Sequence, residues 1–173
     1  VTDILRGEDH MTNSAAQIQL FEALGSLPPR LGHLSLLTDI SGEGLSKRLG
    51  SLSLKDLRQE GFQPMAISSL LSKVGTSDSI DIFKNINQII NDFDINKFGK
   101  SKPKFDKVEL LNLNSKFFQL INFDDISDQL DTLDFEITTE FWNLIKGNIN
   151  TFNDIKFWWN IVYGKIKTIN DDH

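Results

Sequence analysis

Two short apolar runs, Asp3-Ile4-Leu5 and Leu31 to Leu37, bracket a segment of helical periodicity, and this order constrains the fold more than anything else in the chain. Two buried strands separated by a helix belong to a parallel α/β sheet, because a parallel pair needs a long crossover and a helix supplies it. The intervening helix shows capping-box spacing at Ser14 and Gln17. Ile18, Phe21 and Leu24 fall on one face, and Gly25 is a natural stop. Pro28-Pro29 then enforces an extended link into the second strand. The polar run Arg6-Gly7-Glu8-Asp9-His10 follows directly on the first strand.

Further along, Gly42 and Gly44 mark a flexible loop. Ser53 is placed to cap a short helix through Leu54 and Leu57 that ends at Gly61. Pro64 suits the first position of another helix, whose Ile67, Leu70, Leu71 and Val74 follow the i, i+3, i+4, i+7 pattern. Near Gly75-Thr76-Ser77 the composition changes: residues 1–75 hold most of the glycines and three of the four prolines, while residues 76–173 are rich in Ile, Asn, Asp, Lys and Phe. A domain boundary is expected there. The second part reads as almost all helix. Ile82, Ile86, Ile89, Ile90 and Phe93 form one stripe, and Asp106 with Glu109 can open a helix carrying Leu110, Leu113, Phe117 and Ile121. Shorter helices are expected around Ile126–Leu130 and Phe141–Ile145, and a last one through Ile155, Trp158, Trp159 and Val162 that ends at Gly164.

Charge and cysteine content narrow the function. A net charge of −6 argues against an evenly basic nucleic-acid binder but leaves room for a local basic patch. The absence of cysteine removes disulfides, thiolate metal sites and thiol catalysis, and fits a reducing cytoplasm. No apolar run approaches the roughly 20 residues that span a bilayer, so no membrane contact is expected. The start at Val1-Thr2-Asp3 has no signal-peptide organisation and reads as a strand entered mid-fold.

The stretch Ser41-Gly42-Glu43-Gly44-Leu45-Ser46-Lys47-Arg48-Leu49-Gly50 has its own chemical logic. Glycines on both sides let it move, and two adjacent cations follow a hydroxyl. Such a loop can close over phosphates and neutralise charge that develops during transfer to or from ATP. The same composition also fits a solvated turn between strand and helix.

Gly44-Leu45-Ser46-Lys47-Arg48 resembles the KMSKS loop of class I aminoacyl-tRNA synthetases, in the glutamyl form Lys-Leu-Ser-Lys-Arg, with Gly44 in place of the first Lys. The flanks agree in order. Val1 to His10 is similar to that family's strand and Arg-Gly-Glu-Asp-His stretch, and Thr12-Asn13 through Leu24-Gly25 to the helix after it. His33-Leu34-Ser35-Leu36 resembles the strand before the loop, and Ser53-Leu54, Leu57-Arg58, Gly61-Phe62 and Pro64 the segment after it. More softly, Phe105-Asp106, Leu110-Leu111 and Leu113-Asn114 resemble the family's Phe-Asp…Leu…Leu-Asn helix in the stem-contact region, and Phe141-Trp142 and Trp158 to Gly164 look like the bacterial enzymes' segments leading toward the anticodon-binding region.

The resemblance implies a fold class: an α/β remnant, the second half of a Rossmann-like catalytic domain, over residues 1–75, then a helical stem-contact and anticodon-proximal region over 76–173, mostly α in sum. It implies the activity of a glutamate–tRNA ligase, which activates L-glutamate with ATP and Mg²⁺ and transfers it to tRNA(Glu), in some members also to tRNA(Gln). Arg6 would pair with a carboxylate of glutamate, for which a planar fork of donors is suited. Asp9 and His10 would line the adenosine and ribose side, or else cap the following helix. Gly44, Leu45, Ser46, Lys47 and Arg48 would form the ATP loop, with Lys47 the catalytic contact to the phosphates. Catalysis of this kind is positioning and electrostatics, with no covalent enzyme intermediate. No protein cage for a metal is evident, and a monomer is expected.

The family's first signature, His-Ile-Gly-His, is not found; His10, His33 and His173 are scattered. The expectation is therefore a piece of a longer enzyme, inactive by itself. Lys97, Lys100, Lys102, Lys104 and Lys107 form a basic run where contact with the tRNA stem would be expected, although a solvated linker around Pro103 reads equally well. Phe157, Trp158, Trp159 and Tyr163 could stack on bases, but their helical spacing favours core packing. Two other readings remain open. One is a non-catalytic tRNA-binding helical module on a synthetase fold. The other is an enzyme that glutamylates queuosine in tRNA, against which the long helical part counts.

Overall fold

The computed structural model describes residues 1–45 and 53–164. These divide into two compact units, neither continuous in sequence: residues 1–45, 74–78 and 94–106 form the first, and 53–73, 79–93 and 107–164 the second.

The first unit is built on two parallel strands, β1 (Asp3–Gly7) and β2 (Arg30–Leu34), with helix α1 (Met11–Ala23) as the crossover. The register pairs Asp3 with Arg30, Leu5 with Gly32, Arg6 with His33 and Gly7 with Leu34. A Cβ at Gly32 would lie 2.6 Å from the Cδ2 of its register partner Leu5, whose side chain would have to turn aside. The second strand was expected to run to Leu37, but it stops at Leu34 because its partner ends at Gly7, where a 3-10 turn (Glu8–His10) begins. Nor are the strands buried as expected: Leu5 is 62% exposed.

Helix α1 starts three residues ahead of the expected cap. The chain enters it directly from the 3-10 turn, so Ser14 lies inside the helix and is its buried residue. Its C-terminus is as expected. Gly25 takes φ 71°, and the bonds Ser26 N–H to Phe21 O (2.9 Å) and Gly25 N–H to Glu22 O (3.0 Å) close a Schellman motif. Of the expected apolar face, Ile18 is half-buried while Phe21 and Leu24 are exposed. Beyond β2, Thr38 is buried and sewn to segment 94–106 by Thr38 N–H to Pro103 O (2.9 Å) and Phe105 N–H to Thr38 O (2.8 Å).

The second unit is helical: α2 (Leu54–Gln59), α3 (Pro64–Lys73), α4 (Ile86–Asp92), α5 (Lys107–Leu120), α6 (Phe123–Leu130), α7 (Thr139–Ile145) and α8 (Asp154–Tyr163). Ser53 caps α2 in a reciprocal box with Asp56, and Pro64 opens α3, both as the sequence predicts. The stripe from Ile82 to Phe93 is not one helix. Asn85 accepts from Gln88 N–H and starts α4 at Ile86, while Phe83 N–H is drawn to Ser69 Oγ at 3.0 Å. Ile82 therefore packs from an extended approach against the core. That core is Phe117, Phe118, Ile126, Leu130, Ile137, Phe141, Trp142, Ile145, Ile149 and Ile155. Trp142 is fully buried, edge-on to Phe118 at 6.1 Å.

Polar staples bind the loops of this unit. Asn114, fully buried on α5, accepts from Gln63 N–H at 2.7 Å and donates to Asn150 O at 2.5 Å. Gly61 takes φ 84°, and Phe152 N–H donates to its carbonyl at 2.9 Å. Lys73, buried on α3, is ion-paired with Asp92.

Candidate functional site

The carboxyl ends of parallel strands are where open α/β sheets gather ligands. Here those ends carry Arg6-Gly7 on β1 and His33-Leu34 on β2. Arg6 and His33 are register partners, so their side chains lie side by side on one face. Helix α1 covers that face with Ser14. Arg6 Nη2 donates to Ser14 Oγ at 2.7 Å, His33 Nε2 lies 2.8 Å from the same oxygen, and the hydroxyl reaches His10 O at 3.1 Å. Arg6 Nε is buried without a hydrogen-bond partner. Sequence reading singled out Arg6 but neither Ser14 nor His33 as a site residue. The signal was present in the equal strand offsets of Arg6 and His33, each the fourth residue of its strand, but using it requires the register.

Asp9 and His10 sit together in the 3-10 turn, with His10 Nε2 3.8 Å from Asp9 Oδ2 and both side chains about half exposed (56% and 51%). Neither caps a helix through its side chain. His10 is the N-cap of α1, without a side-chain bond to the helix. A Cβ at Gly7 would run into Asp9 Oδ1 and lie 2.8 Å from Leu36 Cδ2, so those two side-chain ends would have to shift.

Of the candidate ATP loop, Gly44 and Leu45 are described, whereas Ser46, Lys47 and Arg48 lie outside the described residues. The approach is a tight turn around Asp39, a residue the sequence reading passed over. The Asp39 carboxylate accepts from Ser41 Oγ (2.6 Å) and Glu43 N–H (2.9 Å), and the backbone closes with Asp39 N–H to Glu43 O (2.8 Å). Gly42 supplies the left-handed position at φ 91°. The Ser41 hydroxyl first, and the backbone N–H groups of residues 41–43 after it, hold the Asp39 carboxyl below its ordinary range. Gly44 then bridges back to Thr38 in antiparallel sense. The signal was Asp-x-Ser-Gly at 39–42, a side-chain-capped turn.

The five lysines are not equivalent. Lys97 pairs with Asp78 at 2.9 Å within the first unit. Lys107, in the second, pairs with Glu60 at 2.6 Å and stands 6.0 Å from the centre of the Phe62 ring. Lys100, Lys102 and Lys104 are exposed and have no ion pair among the described residues. On α8, Trp158 and Trp159 pack against the core, with Trp159 4.9 Å from Phe135, whereas Phe157 is exposed. Among the described residues no group of three His, Cys, Asp or Glu side chains could hold a metal ion, and no helix is long and apolar enough to cross a membrane.

The profile of the class I tRNA synthetases (E and Q), catalytic domain, matches residues 1–112, running past the compositional change near Gly75. The chain is 44% identical over 160 residues to a glutamate–tRNA ligase of Azospirillum brasilense and 41% to glutamate–tRNA ligase 1 of Ruegeria pomeroyi. Each alignment takes in 91% of this chain and 36% of the relative, so the chain spans little more than a third of those proteins. Among solved structures, the glutamate–tRNA synthetase of Elizabethkingia anophelis superposes with a TM-score of 0.68 at 23% identity, covering 93% of this chain and 37% of that one. A glutamate–tRNA ligase of Elizabethkingia meningosepticum, solved in complex with its amino acid, gives 0.71 at 24% identity, with 94% and 37% covered. These superpositions show the fold, and the sequence matches show the lineage: the chain belongs to the class I tRNA synthetases of the E and Q group.

Proposed function

We propose that this chain is the part of a glutamate–tRNA ligase that supplies the glutamate-binding Arg6 and the phosphate-side ATP loop. The observation that carries the reading is Arg6 at the carboxyl end of β1, its guanidinium anchored at Nη2 to a buried hydroxyl. An anchored guanidinium meets a planar carboxylate with little left to organise. Asp9 and His10 would meet the nucleoside, a reading supported by their half-exposed side chains on the adjoining turn. Gly44 to Arg48 close over the phosphates, with Lys47 offsetting the charge that builds on them as glutamyl-adenylate forms. Mg²⁺ enters with ATP. Residues 1–75 supply this chemistry, and residues 76–173 the helical region that meets tRNA(Glu) in the cytoplasm. In the first unit Lys100, Lys102 and Lys104, exposed and without an ion pair among the described residues, would meet phosphates, and Lys97 would do so on exchanging Asp78; in the second unit Lys107 would do so on exchanging Glu60.

The test is charging of tRNA with glutamate by the intact protein that carries this segment. Lys47→Ala is expected to lower kcat by at least about a hundredfold, the scale for losing one group that stabilises transition-state charge. Arg6→Ala is expected to raise the KM for glutamate. Normal charging by both variants would overturn the reading. Salt-dependent tRNA binding with no glutamate transfer would instead support a binding module, and normal charging of tRNA(Gln) would widen the partner range.

A further inference from the structure

Ser14 Oγ has three polar neighbours and one proton to give. Arg6 Nη2 can only donate to it, and His10 O can only accept. If the hydroxyl proton goes to His10 O, the remaining lone pair of Oγ is open to an N–H from His33 Nε2 at 2.8 Å. That arrangement makes three bonds at once. The alternative, Ser14 donating to His33, leaves a lone pair of a buried oxygen unused and makes two. The three-bond arrangement therefore selects the His33 form protonated at Nε2, with Ser14 Oγ as the acceptor into which Arg6 and His33 both donate.

The elements that meet here are β1, β2 and α1, so the contact is tertiary. One N–H of Nη2 is committed to Ser14 and Nε is buried, so the donors left for a ligand are the second N–H of Nη2 and the two of Nη1. A long flexible side chain is thus fixed from behind, before any ligand arrives. We propose that Ser14, backed by His33, is a positioning residue that aims Arg6 at a carboxylate of the amino-acid substrate. This rests on the reading of Arg6 as the glutamate contact.

The test again uses the intact ligase, with the KM for glutamate and for ATP, kcat and the melting temperature measured side by side. Ser14→Ala is expected to raise the KM for glutamate about tenfold, the loss of one hydrogen bond to a charged group, with the KM for ATP unchanged. Ser14→Thr, which keeps the hydroxyl, restores the KM for glutamate. His33→Gln, which keeps an N–H, stays near wild type, while His33→Leu follows Ser14→Ala. If Ser14→Ala fails to fold, the two His33 variants read the same contact. Equal loss for glutamate and ATP in step with melting would make the cluster merely structural and overturn the inference. If Arg6→Lys raises the KM for glutamate but Ser14→Ala and His33→Leu do not, the inference alone falls. If Arg6→Lys leaves that KM unchanged, the reading of Arg6 falls first and takes the inference with it.

Discussion

Replacing Asn114 tests whether the second unit depends on a polar staple or only on its apolar core. Asn114 is fully buried; its Oδ1 takes Gln63 N–H at 2.7 Å and its Nδ2 gives to Asn150 O at 2.5 Å. Asn114→Ala deletes both bonds. Gln63 is buried, so its orphaned N–H costs about 1–3 kcal/mol. Asn150 is exposed and its carbonyl can turn to water, so that side loses only the net worth of one bond, about 1 kcal/mol. The sum is roughly 3 kcal/mol, and at about 4–8 °C per kcal/mol for a domain of 60–100 residues the melting point falls by more than ~10 °C. Urea unfolding followed by tryptophan fluorescence reads this directly, since Trp142 sits in the same unit.

Asn114→Asp sharpens the test. It keeps an acceptor for Gln63 but sets a buried carboxylate oxygen against Asn150 O. Its folded pKa is raised above the unfolded value near 3.9. The penalty is therefore full above the folded pKa and fades as pH falls through it, when the protonated acid can donate to Asn150 O. The expected order of stability at pH 7 is Asn, then Ala, then Asp, with Asp recovering in acid. A loss below about 0.5 kcal/mol for Ala, the range of neutral surface changes, or an Asp variant as stable as wild type at pH 7, would refute the reasoning.

Gly61→Ala and Gly42→Ala separate backbone conformation from crowding. Both glycines have positive φ, but a Cβ at 61 would lie 2.9 Å from the backbone nitrogens of Phe152 and Asn153, while at 42 nothing lies within 4 Å. Gly42→Ala should cost only the left-handed penalty of about 1–2 kcal/mol and Gly61→Ala clearly more by urea midpoint; equal costs would contradict the packing. The Asp39 carboxyl, followed by NMR, should titrate below 3.8. Because its folded pKa is depressed, its contribution is complete above the unfolded value and is lost as pH falls through the lowered one. Ser41→Ala should move the midpoint back toward 3.8, and a wild-type midpoint at or above that value would refute the turn.

Features that depend on a few neighbouring residues were legible in the sequence. Pro64 opens α3, Ser53 caps α2 and Gly25 ends α1, because each acts on backbone groups within four residues. The strand–helix–strand order could also be read, from apolar runs and helical periodicity. What could not be read depended on which segments meet. Ser14 has the spacing of a cap, yet its hydroxyl is taken up by a strand register that brings Arg6 and His33 together 27 positions apart. The apolar stripe from Ile82 is periodic, yet Ser69 draws the Phe83 amide out of the helix. Asn114 looks like an unremarkable polar residue on α5 until Gln63 and Asn150 converge on it. A side chain with one proton and two lone pairs fits many local partners equally well. Only burial, which removes water as the alternative partner, selects one of them, and burial is a property of the tertiary structure.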